Sequence, residues 1–220
     1  MKTAYIIGCT GLVGKTLLED LLKDSGFSRV VSFSRRPPDF SHEKLEARIL
    51  DLENLDQQAE AGSCDVAFCC LGTTMKQAGG REGFIKVDHD YVLAFARLAK
   101  KAGARHFILV SSLGASAESR FFYSRVKGRV ENDLREMGFH NLSIFRPSLL
   151  IGERREFRPG ERAAILMYRI FGKGPARPWL GTDVTGLSGA MLRAGRESSE
   201  TGGDTRVRIF GPRHLAYYKG

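Results

Sequence analysis

The sequence predicts an α/β fold: a doubly wound parallel sheet of the Rossmann type in a single domain, with a small C-terminal extension. Short apolar runs alternate with longer patterns of helical periodicity, and few polar residues interrupt the apolar runs. Strands covered by helices on both faces of a parallel sheet have this nearly continuous apolar composition. A glycine-rich segment, Gly8–Gly14, also separates the first apolar run from the first helical pattern, as in nucleotide-binding βα units.

Seven apolar runs predict the strands. They are Ala4–Gly8, Arg29–Phe33, Ala47–Leu50, Val66–Leu71, His106–Val110, Leu142–Phe145 and a late run, Arg206–Phe210. Between the first six, apolar residues recur at helical spacing in Leu12–Lys23, Asp88–Ala102 and Phe121–Met137. This alternation of strand and helix favours the doubly wound order.

The rhythm changes after Leu150. A polar loop with turn residues precedes an apolar helix predicted at Ala163–Phe171, and a further helix is predicted at Val184–Arg193. We expect residues 1–149 to form the cofactor-binding core and residues 150–220 to pack beside the sheet. Residues 153–177 carry many arginines. The preferred interpretation is a solvent-exposed face, and the alternative is the border of a substrate pocket.

The cysteine pattern and the apolar run at the start predict a cytoplasmic protein that binds no metal. The run that opens the chain is too short for a signal peptide, and no apolar stretch approaches the roughly 20 residues that span a bilayer. The four cysteines form no Cys-x-x-Cys, and the five histidines lack metal-ligand spacing. Buried thiols in a reducing compartment are therefore expected.

The positive net charge is consistent with a small anionic ligand. The net charge of +9 would suit a nucleic acid, a membrane surface or an anionic cofactor. No nucleic-acid-binding module is visible in the sequence. A phosphate-bearing small molecule is therefore favoured over nucleic acid.

The glycine segment predicts a pyrophosphate site. Glycine permits a tight turn and a close backbone approach, while the N-terminus of the following helix offers free N–H groups and a positive dipole. The spacing of Gly8, Gly11 and Gly14 is Gly-x-x-Gly-x-x-Gly, one residue longer at the front than the usual dinucleotide fingerprint. A glycine-rich turn without a ligand is the alternative.

The end of the second predicted strand favours NADP over NAD. An acidic residue there would bind the ribose 2′-hydroxyl of NAD, but the sequence reads Ser34-Arg35-Arg36-Pro37. Two arginines suit a 2′-phosphate through charge-assisted contacts. Asp51, just after the third strand, either lines the adenine pocket or belongs to a plain strand-end turn.

Tyr123 and Lys127 predict a device for proton transfer. Residues four apart share a helix face, and a nearby ammonium favours the phenolate form of a tyrosine. Ser111 and Ser112 follow the fifth predicted strand and offer a hydroxyl to a substrate oxygen. We prefer Ser112, because it lies later in the turn that leaves the strand.

Together these residues resemble the short-chain dehydrogenase/reductase superfamily, through the glycine loop, the strand-end serine and the Tyr-x-x-x-Lys helix. Further motifs are similar to an atypical branch, the Tat-interactive-protein-like oxidoreductases. They are Phe68–Thr74, His106–Ala115, Lys127–Glu131 and Phe145–Pro147. The resemblance extends from the first strand to about Gly160.

The resemblance implies a role for each matching residue. Thr10, Gly11, Leu12 and Val13 would wrap the pyrophosphate, and Arg35 and Arg36 would take the 2′-phosphate. The remaining predicted cofactor contacts are Leu71, Gly72, Ser111, Tyr123, Lys127, Arg146 and Arg154. Tyr123 would be the acid/base and Lys127 its partner.

Two positions depart from the common family pattern. Cys70-Leu71-Gly72-Thr73 stands where many members have Asn-Asn-Ala-Gly. Asp88 stands where an asparagine often relays protons, and we interpret it first as the N-cap of its helix.

The sequence thus predicts an NADP-dependent oxidoreductase acting on a small carbonyl or alcohol that it does not identify. The alternative is a non-catalytic NADP(H)-binding regulatory or redox-sensing protein, with a possible protein partner.

Overall fold

A computed structural model describes residues 1–55, 62–152, 181–197 and 206–216. The strands in this part of the chain are β1 (Lys2–Ile7), β2 (Phe27–Ser34), β3 (Leu45–Ile49), β4 (Val66–Cys69), β5 (His106–Val110), β6 (Asn141–Phe145), β7 (Leu150–Ile151), β8 (Thr182–Asp183) and β9 (Arg206–Phe210). Seven of them form one parallel sheet in the order β3-β2-β1-β4-β5-β6-β9, and β7 pairs with β8. The predicted Rossmann-type fold is confirmed.

The described helices are α1 (Leu12–Lys23), α2 (Arg81–Ile85), α3 (Tyr91–Lys101), α4 (Phe122–Glu136), α5 (Val184–Arg196) and α6 (Pro212–Ala216). A π-helical turn, Lys86–Asp90, joins α2 directly to α3. These three segments therefore make one continuous helical stretch. Among the described residues, no helix is both long and apolar enough to cross a membrane.

Two apolar cores cover the two faces of the sheet. Ile7 and its same-face neighbours pack under α3 and α4, where Phe95 and Phe107 lie in contact. Ile6 points to the opposite face and packs with α1 and α5, where Phe27 meets Phe68 edge-on. This alternation along β1 explains the nearly continuous apolar run, because both faces of each central strand are buried.

The C-terminal part contributes more than a layer beside the sheet. β9 pairs with β6 and becomes the edge strand, while α5 packs against α1. The ammonium of Lys2 also donates to the carbonyls of Gly195, Arg196 and Glu197 at the end of α5. The predicted helix at Ala163–Phe171 and the basic segment 153–177 lie outside the described residues.

The helix predicted to begin at Asp88 begins at Arg81 instead, and the N-cap interpretation of Asp88 is wrong. The N-cap of α2 is Gly80, and Asp88 lies inside the π-helical turn, buried. Its carboxylate faces another element, as described below.

Candidate active site

The predicted site residues follow the carboxyl ends of β1, β2, β4 and β5. Because parallel strands end at the same edge of a sheet, the loops after them gather in one place. The loop of Gly8–Gly11 follows β1, Leu71 and Gly72 follow β4, and Ser112 follows β5. The fold thus brings the predicted cofactor and catalytic segments to a common edge.

Backbone packing shapes the glycine loop. Gly8 has a φ of 81°, and a Cβ on it would lie 2.6 Å from the carbonyl carbon of Cys70. A Cβ on Gly14 would lie 2.2 Å from the carbonyl oxygen of Gly8. Any side chain at either position would separate α1 from the loop or the loop from the residues that follow β4.

The N-terminus of α1 fits an anionic group. Gly11 is its N-cap and forms no side-chain cap, and the first turn contains no acidic residue. The first amides of a helix lack intrahelical acceptors and carry positive partial charge. Thr10 and Gly11 are exposed and Leu12 is half-buried, whereas the Val13 side chain belongs to the core, so Val13 can offer only its backbone.

The twin-arginine turn after β2 also fits such a group. The Ser34 hydroxyl donates to the carbonyl of Arg36 across 2.6 Å and so holds the turn against the strand end. Arg35 and Arg36 are exposed. Within the described residues, neither guanidinium forms an ion pair.

Asp51 caps a short helical turn, Leu52–Asn54, by accepting from the Glu53 amide at 3.2 Å. This contact matches the strand-end interpretation. The adenine contact stays a prediction.

Tyr123 and Lys127 lie on one face of α4, with different exposure. Tyr123 is 41% exposed, and its ring packs on Phe84 with a centroid distance of 5.4 Å. Lys127 is 3% exposed, and its Nζ lies 2.8 Å from Asp88 Oδ1. Burial by itself lowers the pKa of Lys127, but the charges of Asp88 and Tyr123 raise it, and the net direction is upward.

Asp88 is the residue near the candidate site whose surroundings the sequence analysis interpreted wrongly, as the N-cap of a helix. Besides contacting Lys127, it accepts the Thr73 backbone N–H through Oδ2 at 2.8 Å. A signal was present in the helical spacing, because Asp88 falls on the apolar stripe that continues through Val92 and Phe95. An acid on such a stripe is buried, and a buried acid requires a partner.

Ser111 and Arg146 contact a different buried acid. Glu131, on the same face of α4, is fully buried and accepts the Ser111 hydroxyl at 2.5 Å. It also accepts two donors of the Arg146 guanidinium, one of them Nε at 3.0 Å. The structure therefore gives both residues an internal partner where a cofactor contact was predicted.

The geometry favours Ser112 as the serine of the site. Its half-buried side chain has one weak contact, to the Leu113 carbonyl at 3.3 Å. Its hydroxyl is therefore available to a substrate oxygen, whereas the Ser111 hydroxyl is committed to Glu131. Of the other predicted residues, Leu71 is buried and Gly72 exposed, and Arg154 lies outside the described residues.

The arrangement combines a half-exposed phenol, an available hydroxyl and a buried cation at the same sheet edge as the glycine loop. Phenols and hydroxyls are groups that donate hydrogen bonds to a carbonyl oxygen, and a phenol can also exchange a proton with it. In the described part of the chain, no group of three His, Cys, Asp or Glu side chains could hold a metal ion.

Comparison with known families agrees with this geometry. Residues 8–157 match the model of a family described as NAD(P)H-binding. The matched region begins at the first glycine of the loop and includes every predicted site residue.

Curated relatives extend over most of the chain. Protein HTATIP2 of Rattus norvegicus is 44% identical over 79% of this chain and 72% of its own length. Protein fmp52-1, mitochondrial, of Aspergillus terreus is 34% identical over 96% of both chains.

Solved structures share the fold at low identity. The Bordetella bronchiseptica enzyme WbmH, in complex with NAD+, has a TM-score of 0.68 at 17% identity, covering 96% of this chain and 76% of its own. The human epimerase family protein SDR39U1, with NADPH, has a TM-score of 0.63 at 18% identity, covering 95% and 74%. These likenesses support the fold.

The prediction of a cytoplasmic location is wrong by the same comparison. Several fungal relatives, including those of Emericella nidulans and Aspergillus fumigatus, are named mitochondrial proteins. An apolar run too short for a signal peptide does not distinguish these two compartments.

Proposed function

We propose that this chain, which belongs to the NAD(P)H-binding family with HTATIP2 and the fmp52 proteins, is an NADP-dependent oxidoreductase of the short-chain dehydrogenase/reductase type. It would interconvert a small carbonyl compound and the corresponding alcohol. The observation that carries this proposal is the half-exposed Tyr123 above the buried Lys127, at the same sheet edge as Ser112 and the glycine loop. A nucleotide-binding prop would not require an available phenol and hydroxyl there.

The residues that would hold the cofactor follow from the shape and charge of the site. The glycine loop and the first amides of α1, from Thr10 to Val13, would hold the pyrophosphate. Arg35 and Arg36 would hold the 2′-phosphate, because they are exposed and not paired among the described residues. Leu71, Gly72 and Lys127 would lie along the nicotinamide ribose. When bound, NADPH supplies the hydride.

The remaining chemistry belongs to side chains of this chain. The Tyr123 phenol donates a proton to the carbonyl oxygen of the substrate, and Ser112 donates a hydrogen bond to the same oxygen. Lys127 acts from beneath, since its positive charge favours the phenolate that remains. Phe84 supports the Tyr123 ring and limits the directions in which the hydroxyl can point.

A second candidate function is NADP(H) binding for regulation. Lys127 contacts Asp88, so part of its charge is compensated before it acts on Tyr123. Redox sensing by the cysteines next to the loop is disfavoured, because burial raises the pKa of Cys69 to about 12 and that of Cys70 well above its usual value. Sensing would therefore operate through the cofactor.

Cofactor titration followed by turnover tests the proposal. We expect NADPH to bind about tenfold to a hundredfold more tightly than NADH, because two charge-assisted contacts are gained. The variant R35Q/R36Q should remove this preference, while R97Q, a matched change on α3, should keep it. Equal affinities in the wild type would sink the arginine assignment. Binding without turnover on any member of a carbonyl panel, unchanged in Y123F, would favour the regulatory alternative.

A further inference from the structure

Two helices meet at the site in a matched register. On the helical stretch that begins with α2, Phe84 and Asp88 lie four residues apart, and on α4 Tyr123 and Lys127 lie four residues apart. Phe84 packs on Tyr123 with a centroid distance of 5.4 Å, and Asp88 lies 2.8 Å from Lys127 Nζ. Each residue of the catalytic pair thus has its own partner on the neighbouring helix.

The π-helical turn falls at this register. The turn Lys86–Asp90 begins shortly after Phe84, which packs on Tyr123. It contains Asp88, which contacts Lys127. A π-helical turn inserts an extra residue into a helix, shifts the faces beyond it and is frequent at functional sites. Here Phe84 precedes the shift and Asp88 lies within the turn, and both face α4; Val92 and Phe95 enter the core after it.

Asp88 also connects the catalytic helix to the loop after β4. Its Oδ2 accepts the Thr73 amide at 2.8 Å, and its Oδ1 lies where a Cβ on Gly72 would be 3.7 Å away. Oδ1 is buried, and its contact with Lys127 is a close ion pair outside hydrogen-bond alignment. One carboxylate therefore holds both the loop expected at the nicotinamide ribose and the lysine expected to bind that ribose.

We infer that Asp88 is a positioning residue that fixes the Lys127 ammonium beneath Tyr123 and keeps it charged inside the protein. The inference rests on the proposed function for the roles of Tyr123 and Lys127. A buried ammonium without an anion loses its proton readily, and Asp88 is the acid that prevents this. The groups facing Lys127 are Asp88 on the π-helical turn, Tyr123 on its own helix and the Cys69 thiol on β4. Cys69 is a buried, neutral thiol, so it cannot replace Asp88.

The direct test is an NMR titration of the Lys127 side chain in the cofactor-free protein. The lysine ¹³Cε signals are followed with pH, and the Lys127 signal is assigned by its absence from K127R. In the wild type we expect a pKa above the ordinary lysine value of 10.5. In D88N we expect a pKa below it, because burial, the largest influence, is then opposed only by the weaker influences of Tyr123 and Cys69, and D88E should return it above.

A matched control lies in the same turn. Asp90 is 57% exposed and contacts His89, so D90N repeats the chemical change without touching Lys127. D90N should leave the Lys127 titration as in the wild type. An unchanged titration in D88N, or an equal shift in D90N, would overturn the inference.

Two further readouts separate positioning from mere folding. If D88N fails to fold, the double variant D88N/K127M should fold, since it contains neither buried charge; failure of both would show that Asp88 acts through packing, against the inference. At pH values above the lowered pKa of Lys127 in D88N, this lysine is neutral and its charged contact with the cofactor is lost. In that pH range we expect D88N to bind NADPH about tenfold more weakly than the wild type. An unchanged dissociation constant would contradict the cofactor part. The lysine titration needs no turnover, so its outcome is independent of whether the protein proves to be an enzyme.

Discussion

The glycine loop and the Tyr123–Lys127 cluster form the two halves of the site, and they are built by different means. The glycine loop relies on the absence of side chains, with backbone packed on backbone around Gly8 and Gly14. The Tyr123–Lys127 cluster relies on side-chain partners, Phe84 for Tyr123, Asp88 for Lys127 and Glu131 for the neighbouring Ser111. The first half has little conformational freedom by construction, whereas the second depends on buried charges that must each be matched.

The largest effect should come from the buried acid of the side-chain half. E131Q leaves the Arg146 guanidinium facing a neutral amide, and we expect the free energy of unfolding to fall by about 3 kcal/mol. Chemical denaturation measures this. E136Q makes the same change at the exposed end of α4 and should stay within about 0.5 kcal/mol of the wild type. Equal effects of the two variants would show that the buried network is not special.

The glycine half should respond to a single methyl group. A Cβ at position 14 would lie 2.2 Å from the Gly8 carbonyl oxygen, so G14A should lower the free energy of unfolding by about 2 kcal/mol. In α5, the end of Arg193 is the only group of the described residues near the Cβ position of Gly189, at 3.9 Å. G189A should therefore be neutral or stabilising, by up to about 1 kcal/mol. A G14A protein as stable as G189A would contradict the close packing described for the loop.

Ser111 and Ser112 are expected to serve different purposes in the Tyr123–Lys127 cluster, the first for stability and the second for chemistry. S111A removes a buried hydrogen bond to Glu131, and we expect about 1 kcal/mol less stability with turnover largely kept. S112A should keep stability, because its hydroxyl has only a weak contact, and should lower turnover by about tenfold. Denaturation and initial rates on the same two variants check the pair. The reverse pattern would assign the chemistry to Ser111.

The smallest expected effect is a pH dependence of stability, which has opposite signs in the wild type and in D88N. In the wild type the pKa of Lys127 is raised in the folded state, so its stabilisation is complete below the unfolded value of 10.5 and is lost as pH rises through the folded value. In D88N the pKa of Lys127 in the folded state should be lowered. The stability of D88N should therefore increase with pH until the pH reaches the pKa of the lysine in the unfolded chain. The stability deficit of D88N relative to the wild type should therefore narrow by less than ~1 kcal/mol between neutral pH and about pH 9. Denaturation at several pH values measures the deficit, and one that widens would contradict the assignment.

The turn and helix start of the glycine half were predictable because their signals are local. Gly8, Gly11 and Gly14 lie within one turn and the start of one helix, and Arg35 and Arg36 follow directly after a strand. The conformation of each of these two turns depends mainly on residues that are neighbours in the chain. The strand order also follows from alternation, and the observed sheet agrees with it.

The partners of the second half were not predictable in the same way. Asp88 and Lys127 belong to different helical segments, and their contact depends on how those segments pack side by side on one face of the sheet. The π-helical turn also displaces the periodicity from which helix faces are predicted. The internal contacts of Ser111 and Arg146 were not predicted for a related reason, because their fully buried partner Glu131 looks in sequence like any charged helix residue.

The central claim, that Tyr123 completes a hydride transfer from NADPH, is tested most directly by isotope transfer. The protein is mixed with NADPH deuterated at the transferable position and a panel of small carbonyl compounds, and the products are examined by mass spectrometry. We expect the wild type to place deuterium on the carbinol carbon of at least one product, and Y123F to bind NADPH equally while transferring at least about a hundredfold more slowly. Transfer at equal rates by both proteins, or NADPH binding without deuterium in any product, would contradict the account.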